Sequence, residues 1–170
     1  LVCDGRRWSY QALWKAALGA ALSIRKSGAS HVALLDENSE AAAISLFGAA
    51  IAGVPYVPLN YRLADADLAA LLQRIAPAYI TGDVERIKRL SPDGGHTALS
   101  RADFVAQAER LGDAGAADEV EQDIAIQLFT SGTTAAPKAA ILRHSNLLSY
   151  ILGTVEFSSA SEDEAALVRV

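Results

Sequence analysis

The chain holds one cysteine, Cys3, in 170 residues, and no methionine. A single thiol excludes an internal disulfide and a multi-thiolate metal centre, and a chain without disulfides is compatible with a cytoplasmic location. An excess of positive charge is also lacking. Fifteen Lys and Arg stand against twenty Asp and Glu, a net charge of −5. That balance gives no electrostatic ground for binding nucleic acid or an anionic membrane. The basic pairs Arg6-Arg7, Arg25-Lys26 and Lys88-Arg89 are isolated from one another and read as solvated. No apolar run is long enough to span a bilayer: the longest, Ala41 to Val54, is too short and contains Gly48 and Gly53. No signal peptide is visible. His31 and His96 have no partner at ligand spacing, so neither is assigned to a metal. Aromatic residues make up only 6%. Trp8, Trp14, Phe47, Phe104 and Phe129 are most simply core or boundary residues.

What is present is 51% hydrophobic, enough for a packed core in a chain of single-domain length. Ser9 is placed to cap a helix over 10–26, with Leu13, Ala17, Ala20, Ala21 and Ile24 at helical spacing and Ser27-Gly28 as its end. His31 to Leu35 reads as a buried strand. Asp36 and Glu37 are adjacent carboxylates that point apart and read as a solvated turn. Ser39 precedes a mostly apolar helix over 40–52 that Gly53 stops. A strand over 55–59 follows, and its prolines place it at an end or an edge rather than in the centre of a ladder. Asp65 or Asp67 caps a helix through Ile75 with Leu68, Leu71, Leu72 and Ile75 on one face. Pro77 punctuates. A strand over 78–81, a helix over 84–90, a short strand over 97–99 and a helix over 103–111 complete the series. This alternation predicts an α/β fold: a largely parallel sheet with helices on both faces. The expected divisions are a βα-repeat region over 1–111, an exposed acidic loop over 112–123, and a last part over 124–170. That part comprises a hairpin, a helix from Ser145 to about Phe157 and the start of another strand.

The turn of that hairpin is the most informative stretch. Apolar residues Ile124 to Phe129 lead in and Ala139 to Leu142 lead out. Between them Thr130, Ser131, Thr133 and Thr134 surround Gly132, and Pro137-Lys138 closes the run. On composition alone such a cluster is an ordinary turn. Its chemistry nevertheless suits a polyphosphate. Turn amides form a concave anion nest, hydroxyls add rotatable donors, and a lysine ammonium is a point charge. Gly132 permits a positive φ. The Walker pattern is excluded, because Lys138 stands between Pro137 and Ala139 rather than in Gly-Lys-Ser/Thr.

Thr130 through Lys138 resembles the phosphate-loop signature of the adenylate-forming (AMP-binding) enzymes, which reads roughly Thr-Ser-Gly-Thr-Thr-Gly-x-Pro-Lys-Gly. The acyl-CoA synthetases, the adenylation domains of nonribosomal peptide synthetases and the luciferases form this superfamily. The family's second and third glycines are Ala135 and Ala139 here. Where such a glycine needs a left-handed backbone, alanine costs about 1–2 kcal/mol. His144-Ser145-Asn146-Leu147 is similar to the family's His-x-Asn-Leu, and Ala52 to Leu59 is similar to its Ala-Gly-x-x-Tyr-Val-Pro-Leu. Asn60-Tyr61-Arg62-Leu63 resembles acyl-CoA synthetases more than peptide-synthetase domains. His144 itself reads as a capping or packing residue at a helix start.

The resemblance implies that 1–170 is the front part of the N-terminal AMP-binding domain, a segment of a longer protein. The missing methionine and the closing run Ala165 to Val170, which reads as a strand cut short, agree with that expectation. It implies ATP and Mg2+ as cofactors, and a carboxylic acid, with a fatty acid the expected class, activated as acyl-adenylate and passed to a thiol. CoA is the expected co-substrate, and a carrier protein the alternative acceptor. It makes Thr130, Ser131, Gly132, Thr133, Thr134 and Lys138 the nucleotide-binding set, with Lys138 at the β/γ-phosphates assisting pyrophosphate departure. The family's remaining catalytic segments would lie beyond residue 170, so the isolated segment is expected to be inactive and, with strand edges unpaired, to self-associate. A scaffold homologue that has lost turnover is the non-enzymatic alternative.

Overall fold

An Asp-Gly turn starts the chain. Asp4 (φ 48°) and Gly5 (φ 79°) both take left-handed backbone, the geometry a two-residue hairpin needs. They join β1 (Val2–Cys3) to β2 (Arg6–Arg7) as an antiparallel pair. The sequence reading had no element here. The structure is a computed structural model, and it describes residues 1–113, 122–130 and 138–154.

Helix α1 (Tyr10–Ser27) begins as expected. The Ser9 hydroxyl accepts the Ala12 N–H at 3.1 Å, and Gly28 (φ 69°) ends the helix in the left-handed region. Then come β3 (His31–Leu35), α2 (Glu40–Ala52), β4 (Tyr56–Pro58), α3 (Asp65–Arg74), β5 (Ala78–Gly82), α4 (Val84–Leu90), β6 (Thr97–Leu99) and α5 (Arg101–Leu111). After the acidic stretch, of which 114–121 lie outside the described residues, follow β7 (Ile124–Thr130), β8 (Lys138–Arg143) and α6 (His144–Thr154). The expectation of a helix continuing to about Phe157 and a strand near the end falls outside the described residues.

Among the described residues the main sheet has six strands, in the order β6-β5-β3-β4-β7-β8. The first five are parallel and β8 returns antiparallel to β7. Side chains alternate across β3. Val32 and Leu34 join a core with α1, α2 and α5, and Ala33 and Leu35 join a second core with α3 and α4. Burial on both faces explains why β3 is continuously apolar. This is the predicted class: a largely parallel sheet with helices on both faces. In the first core the rings of Tyr79 and Phe104 meet edge-on, 6.1 Å between centroids, and the Tyr79 hydroxyl donates to Gln107 Oε1 at 3.1 Å.

Several local expectations are corrected. Strand β4 is interior, between β3 and β7. Its prolines are tolerated because Pro55 precedes the strand and Pro58 is its last residue, so the missing N–H groups fall at its ends. Neither Asp65 nor Asp67 caps α3. Ala64 occupies the N-cap, and the Asp65 carboxylate accepts from Arg86 (2.9 Å) and Arg89 (2.7 Å) instead. Ser39 is the N-cap residue of α2 but makes no capping hydrogen bond. Helix α5 starts two residues early, at Arg101, because Ser100 accepts from the Asp103 N–H. Trp14 and Phe47 are exposed, at 56% and 52%, whereas Trp8 and Phe104 are buried. The basic pairs are not simply solvated. Arg6 pairs with Glu109 and stacks on Trp8, Arg25 donates to the Ile51 carbonyl, and Arg89 bonds Asp65. Among the described residues no helix is long and apolar enough to cross a membrane.

Candidate functional site

The hairpin β7–β8 runs in register from Gln127 opposite Ile141 to Thr130 opposite Lys138. Its last rung is closed by the Thr130 hydroxyl, which donates to the Lys138 carbonyl at 3.4 Å. Both side chains are exposed. Since β7 runs parallel to β4, this mouth opens at the carboxyl edge of the parallel strands, the edge where open α/β sheets bind ligands. Of the predicted nucleotide-binding set, Thr130 and Lys138 are thus brought side by side. Ser131, Gly132, Thr133 and Thr134 lie outside the described residues, as does Ala135. Ala139 is paired with Phe129 within β8. Among the described residues only Asp4 is a non-glycine with positive φ, so alanine at 139 carries no left-handed strain.

The other two family-like segments adjoin the hairpin. Gly53 (φ 76°) ends α2, and Tyr56 opens β4. Tyr56 is buried, and burial pushes its phenol up to about 12. At the carboxyl end of β4 the Asn60 side chain accepts the Arg62 N–H at 3.0 Å, fixing the turn. Arg86 holds the rest of that loop. Its guanidinium donates to the carbonyls of Tyr61 and Leu63, both at 2.7 Å, and to Asp65. His144 is the first residue of α6, and its N–H donates to the Asp123 carbonyl at 3.0 Å. Asn146 Oδ1 accepts the Arg143 N–H at 2.9 Å, and Arg143 is ion-paired with Asp123. The His-x-Asn stretch therefore secures the start of α6, with Asn146 a structural partner that sequence reading did not single out.

A crevice of about 520 Å³ lies at the carboxyl ends of β3 and β5, lined by Leu35, Asp36, Gly82, Asp83, Arg86 and Arg101 among others. Here the chain leaves the sheet toward opposite faces, to α2 after β3 and to α4 after β5. Asp36 is not a solvated turn residue. Arg101 Nε and Nη2 reach its two oxygens at 2.8 and 2.9 Å. These hydrogen bonds, aided by the Glu37 N–H, hold the Asp36 carboxyl below its ordinary value against the opposing effect of burial. A carboxyl depressed in the folded state stabilises it above the unfolded value of about 3.9, and that contribution is lost as pH falls through the folded value. Asp36→Asn is accordingly expected to cost about 1 kcal/mol at neutral pH. The deficit should shrink as the pH falls below the unfolded value and be gone below the native carboxyl's depressed value. Urea midpoints measured from pH 7 to pH 2 would show it, and a pH-independent deficit would contradict the assignment.

The histidines serve structure. His96 Nδ1 accepts the Ala78 N–H at 3.1 Å, and its other nitrogen lies 3.2 Å from the Ser91 hydroxyl. His31 Nδ1 lies 3.0 Å from the Ser30 hydroxyl. Burial lowers both imidazoles below their ordinary value. No cluster of three or more His, Cys, Asp or Glu side chains suited to a metal occurs among the described residues.

The chain is similar to several known proteins. The chain is 29% identical over 153 residues to a fatty acid–[acyl-carrier-protein] ligase, ScoC, of Streptomyces coeruleorubidus, covering 85% of this chain and 30% of that protein. It is 28% identical over 174 residues to a feruloyl-CoA synthase of an Amycolatopsis species, covering 96% of this chain and 34% of that one. The crystal structure of ATP-bound MatB from Rhodopseudomonas palustris matches the fold with a TM-score of 0.74 at 28% identity, over 87% of this chain and 32% of that chain. The chain thus spans about a third of the length of these relatives. The model of the family described as AMP-binding enzyme matches residues 1–168. With a family match over residues 1–168 and the pair Thr130 and Lys138 at the carboxyl edge of its parallel sheet, this chain belongs to the AMP-binding enzyme family.

Proposed function

We propose that the chain is the phosphate-loop part of an ATP-dependent adenylate-forming ligase of acyl-CoA synthetase type. The observation that carries this reading is the pairing of Thr130 with Lys138 at the mouth of a carboxyl-edge hairpin whose intervening sequence is Ser131-Gly132-Thr133-Thr134-Ala135-Ala136-Pro137. In the proposed reaction a carboxylate oxygen attacks the α-phosphorus of ATP. The bond to the β-phosphate oxygen breaks, and pyrophosphate leaves. The hydroxyls of Thr130, Ser131, Thr133 and Thr134 donate to phosphate oxygens, and the Lys138 ammonium offsets charge growing on the leaving group. A thiolate then attacks the acyl carbon and AMP departs. Magnesium is expected to arrive with ATP, since it offsets phosphate charge. The described residues present no acidic cluster to hold it, and no step is assigned to it.

The substrate is proposed to be a carboxylic acid of the fatty class, and the acceptor CoA. Support for CoA comes from Asn60-Tyr61-Arg62-Leu63, which is acyl-CoA synthetase-like, and from the similarity to a feruloyl-CoA synthase. Similarity to a ligase that names an acyl-carrier protein supports the second reading, a carrier-protein acceptor. A role in fatty-acid metabolism, a cytoplasmic location and the division into 1–111, 112–123 and 124–170 belong to the same proposal. In an assay of the whole protein, carboxylate-dependent exchange of pyrophosphate into ATP is expected. Absence of exchange across short, long and aromatic acids would favour the scaffold alternative. Thioester formation with CoA, compared with a carrier-protein panel, decides the acceptor.

Three further results are expected. Residues 1–170 alone should give no exchange. They should also self-associate, because among the described residues α6 has no buried residue and exposes Leu148, Tyr150, Ile151 and Leu152 beside β8, the edge strand. Light scattering across a concentration series is the test, and a monomer at every concentration would refute it. In the whole protein, Ala135→Gly is expected to speed the adenylation half-reaction if alanine strains the nucleotide-bound loop, as at a position where the family keeps glycine. An unchanged rate would show that alanine is accommodated there.

A further inference from the structure

The hairpin that carries Thr130 and Lys138 is tied to the parallel sheet at a single paired position. That position is Tyr56 of β4 opposite Ile126 of β7, and β4 ends two residues later at Pro58. Beyond Ile126, among the described residues, Gln127 to Thr130 pair only with β8, and β8 is the edge of the sheet they form. A two-stranded ribbon is marginal by itself. The ladder therefore does not determine where its mouth lies relative to the rest of the domain.

A side-chain contact supplies what the ladder lacks. Phe129 is partly buried against the second core, the one that holds Leu68, Leu71 and Leu72 of α3. Its partner across the ladder is Ala139, too small to compete for the ring. Arg74, the last residue of α3, lays its guanidinium over that ring, with Cζ 4.8 Å from the centroid. Two effects favour a cation there: the negative face of the ring and the carbonyl end of the helix. Alternation along the strand puts Phe129 and Ala139 on one face of the ribbon and the adjacent pair, Thr130 and Lys138, on the other. Gripping Phe129 from one face therefore sets the direction of Thr130 and Lys138 on the opposite face.

We infer that Arg74 and Phe129 form an anchor that positions Thr130 and Lys138 for the nucleotide. Both act through the strand and are positioning residues, not catalytic ones. The inference rests on the phosphate-binding reading given above. It adds that a helix on the far side of the sheet sets the affinity of the loop for ATP.

The test uses the whole protein, with Arg74→Ala, Arg74→Lys, Phe129→Leu and the double variant Arg74→Ala/Phe129→Leu. Pyrophosphate-exchange kinetics are measured alongside hydrogen exchange at the amides of Phe129, Thr130, Lys138 and Ala139. Arg74→Ala is expected to raise the KM for ATP about two- to five-fold, the scale of a partly exposed cation–π contact, with kcat changed less than KM. Exchange at the four amides should quicken while that of β3 and β5 stays the same. Lysine at 74 should restore part of both effects. Phe129→Leu keeps the apolar packing and removes the ring, so Arg74→Ala should add little in that background. Unchanged exchange at Thr130 and Lys138 in Arg74→Ala would overturn the anchor. Quickened exchange with an unchanged KM for ATP would overturn its bearing on the nucleotide. Lys138→Ala serves as the parallel control. If it leaves the ATP dependence intact, the phosphate-binding reading itself fails, and the amide exchange still judges the anchor separately.

Discussion

Alanine at position 138 is expected to slow acyl-adenylate formation in the whole protein about 10²–10³-fold, the loss seen when one preorganised charge-stabilising donor is removed. The argument is specific to the side chain. Lys138 is exposed, and its part in the hairpin is played by its backbone, which pairs with Thr130 and accepts the Thr130 hydroxyl. Alanine keeps all of this, so stability should change by no more than about 0.5 kcal/mol. The deficit should fall on the step that releases pyrophosphate. Transfer of the acyl group to a thiol from a supplied adenylate should be nearly normal, because no charge develops on a departing pyrophosphate in that step. Stopped-flow measurement of the two half-reactions separates them. An unchanged adenylation rate with unchanged ATP dependence would remove the basis of the functional reading.

Gly19→Ala should destabilise the domain by about 3 kcal/mol, the upper part of the range for overpacking. Helix propensity alone predicts the opposite sign, since alanine in a helix interior is about 1 kcal/mol better than glycine. Packing decides. A Cβ on Gly19 would meet the Ala108 carbonyl oxygen at 2.0 Å and the Gly112 nitrogen at 2.7 Å. Both are backbone atoms of the α5 region and cannot swing aside, so α1 and α5 would have to move apart. Gly153 is the internal control. It lies in α6 with nothing among the described residues within 4 Å of its added Cβ, and alanine there should be neutral or stabilising. Urea denaturation of both variants reads the two signs. A Gly19→Ala protein as stable as its parent would show that the α1–α5 approach is looser than described.

Much of the fold was legible because it is written in local chemistry. Ser9 as a cap, Gly28 and Gly53 as left-handed stops, and the buried run His31 to Leu35 are features of a few consecutive residues. The opening hairpin is local chemistry too: Asp4-Gly5 is a strong turn signal, but the flanking strands are only two residues long, too short to show a strand's alternation. The remaining misreadings share a cause. Asp36 looked solvated because its partner, Arg101, is 65 residues away. Asp65 looked like a cap because Arg86 and Arg89, which claim its carboxylate, belong to a different helix. The prolines of β4 suggested an end or an edge: they do fall at the strand's ends, but the strand is interior, because sequence shows that an N–H is missing and not which strands become neighbours.

The candidate site divides in the same way. The order and chemistry of Thr130 through Lys138, the alternation of strands and helices, and membership of the AMP-binding family follow from residues close together in the chain. Periodicity, turn chemistry and motif spacing act over such distances. Tertiary structure alone decided that β4 lies inside the sheet, that Thr130 and Lys138 meet at its carboxyl edge, and that Ala139 is an unstrained strand residue. It alone brought Arg74 of α3 over Phe129 of β7. Those outcomes depend on which elements become neighbours, and that is settled by burying both faces of the sheet at once, a condition no single segment can express.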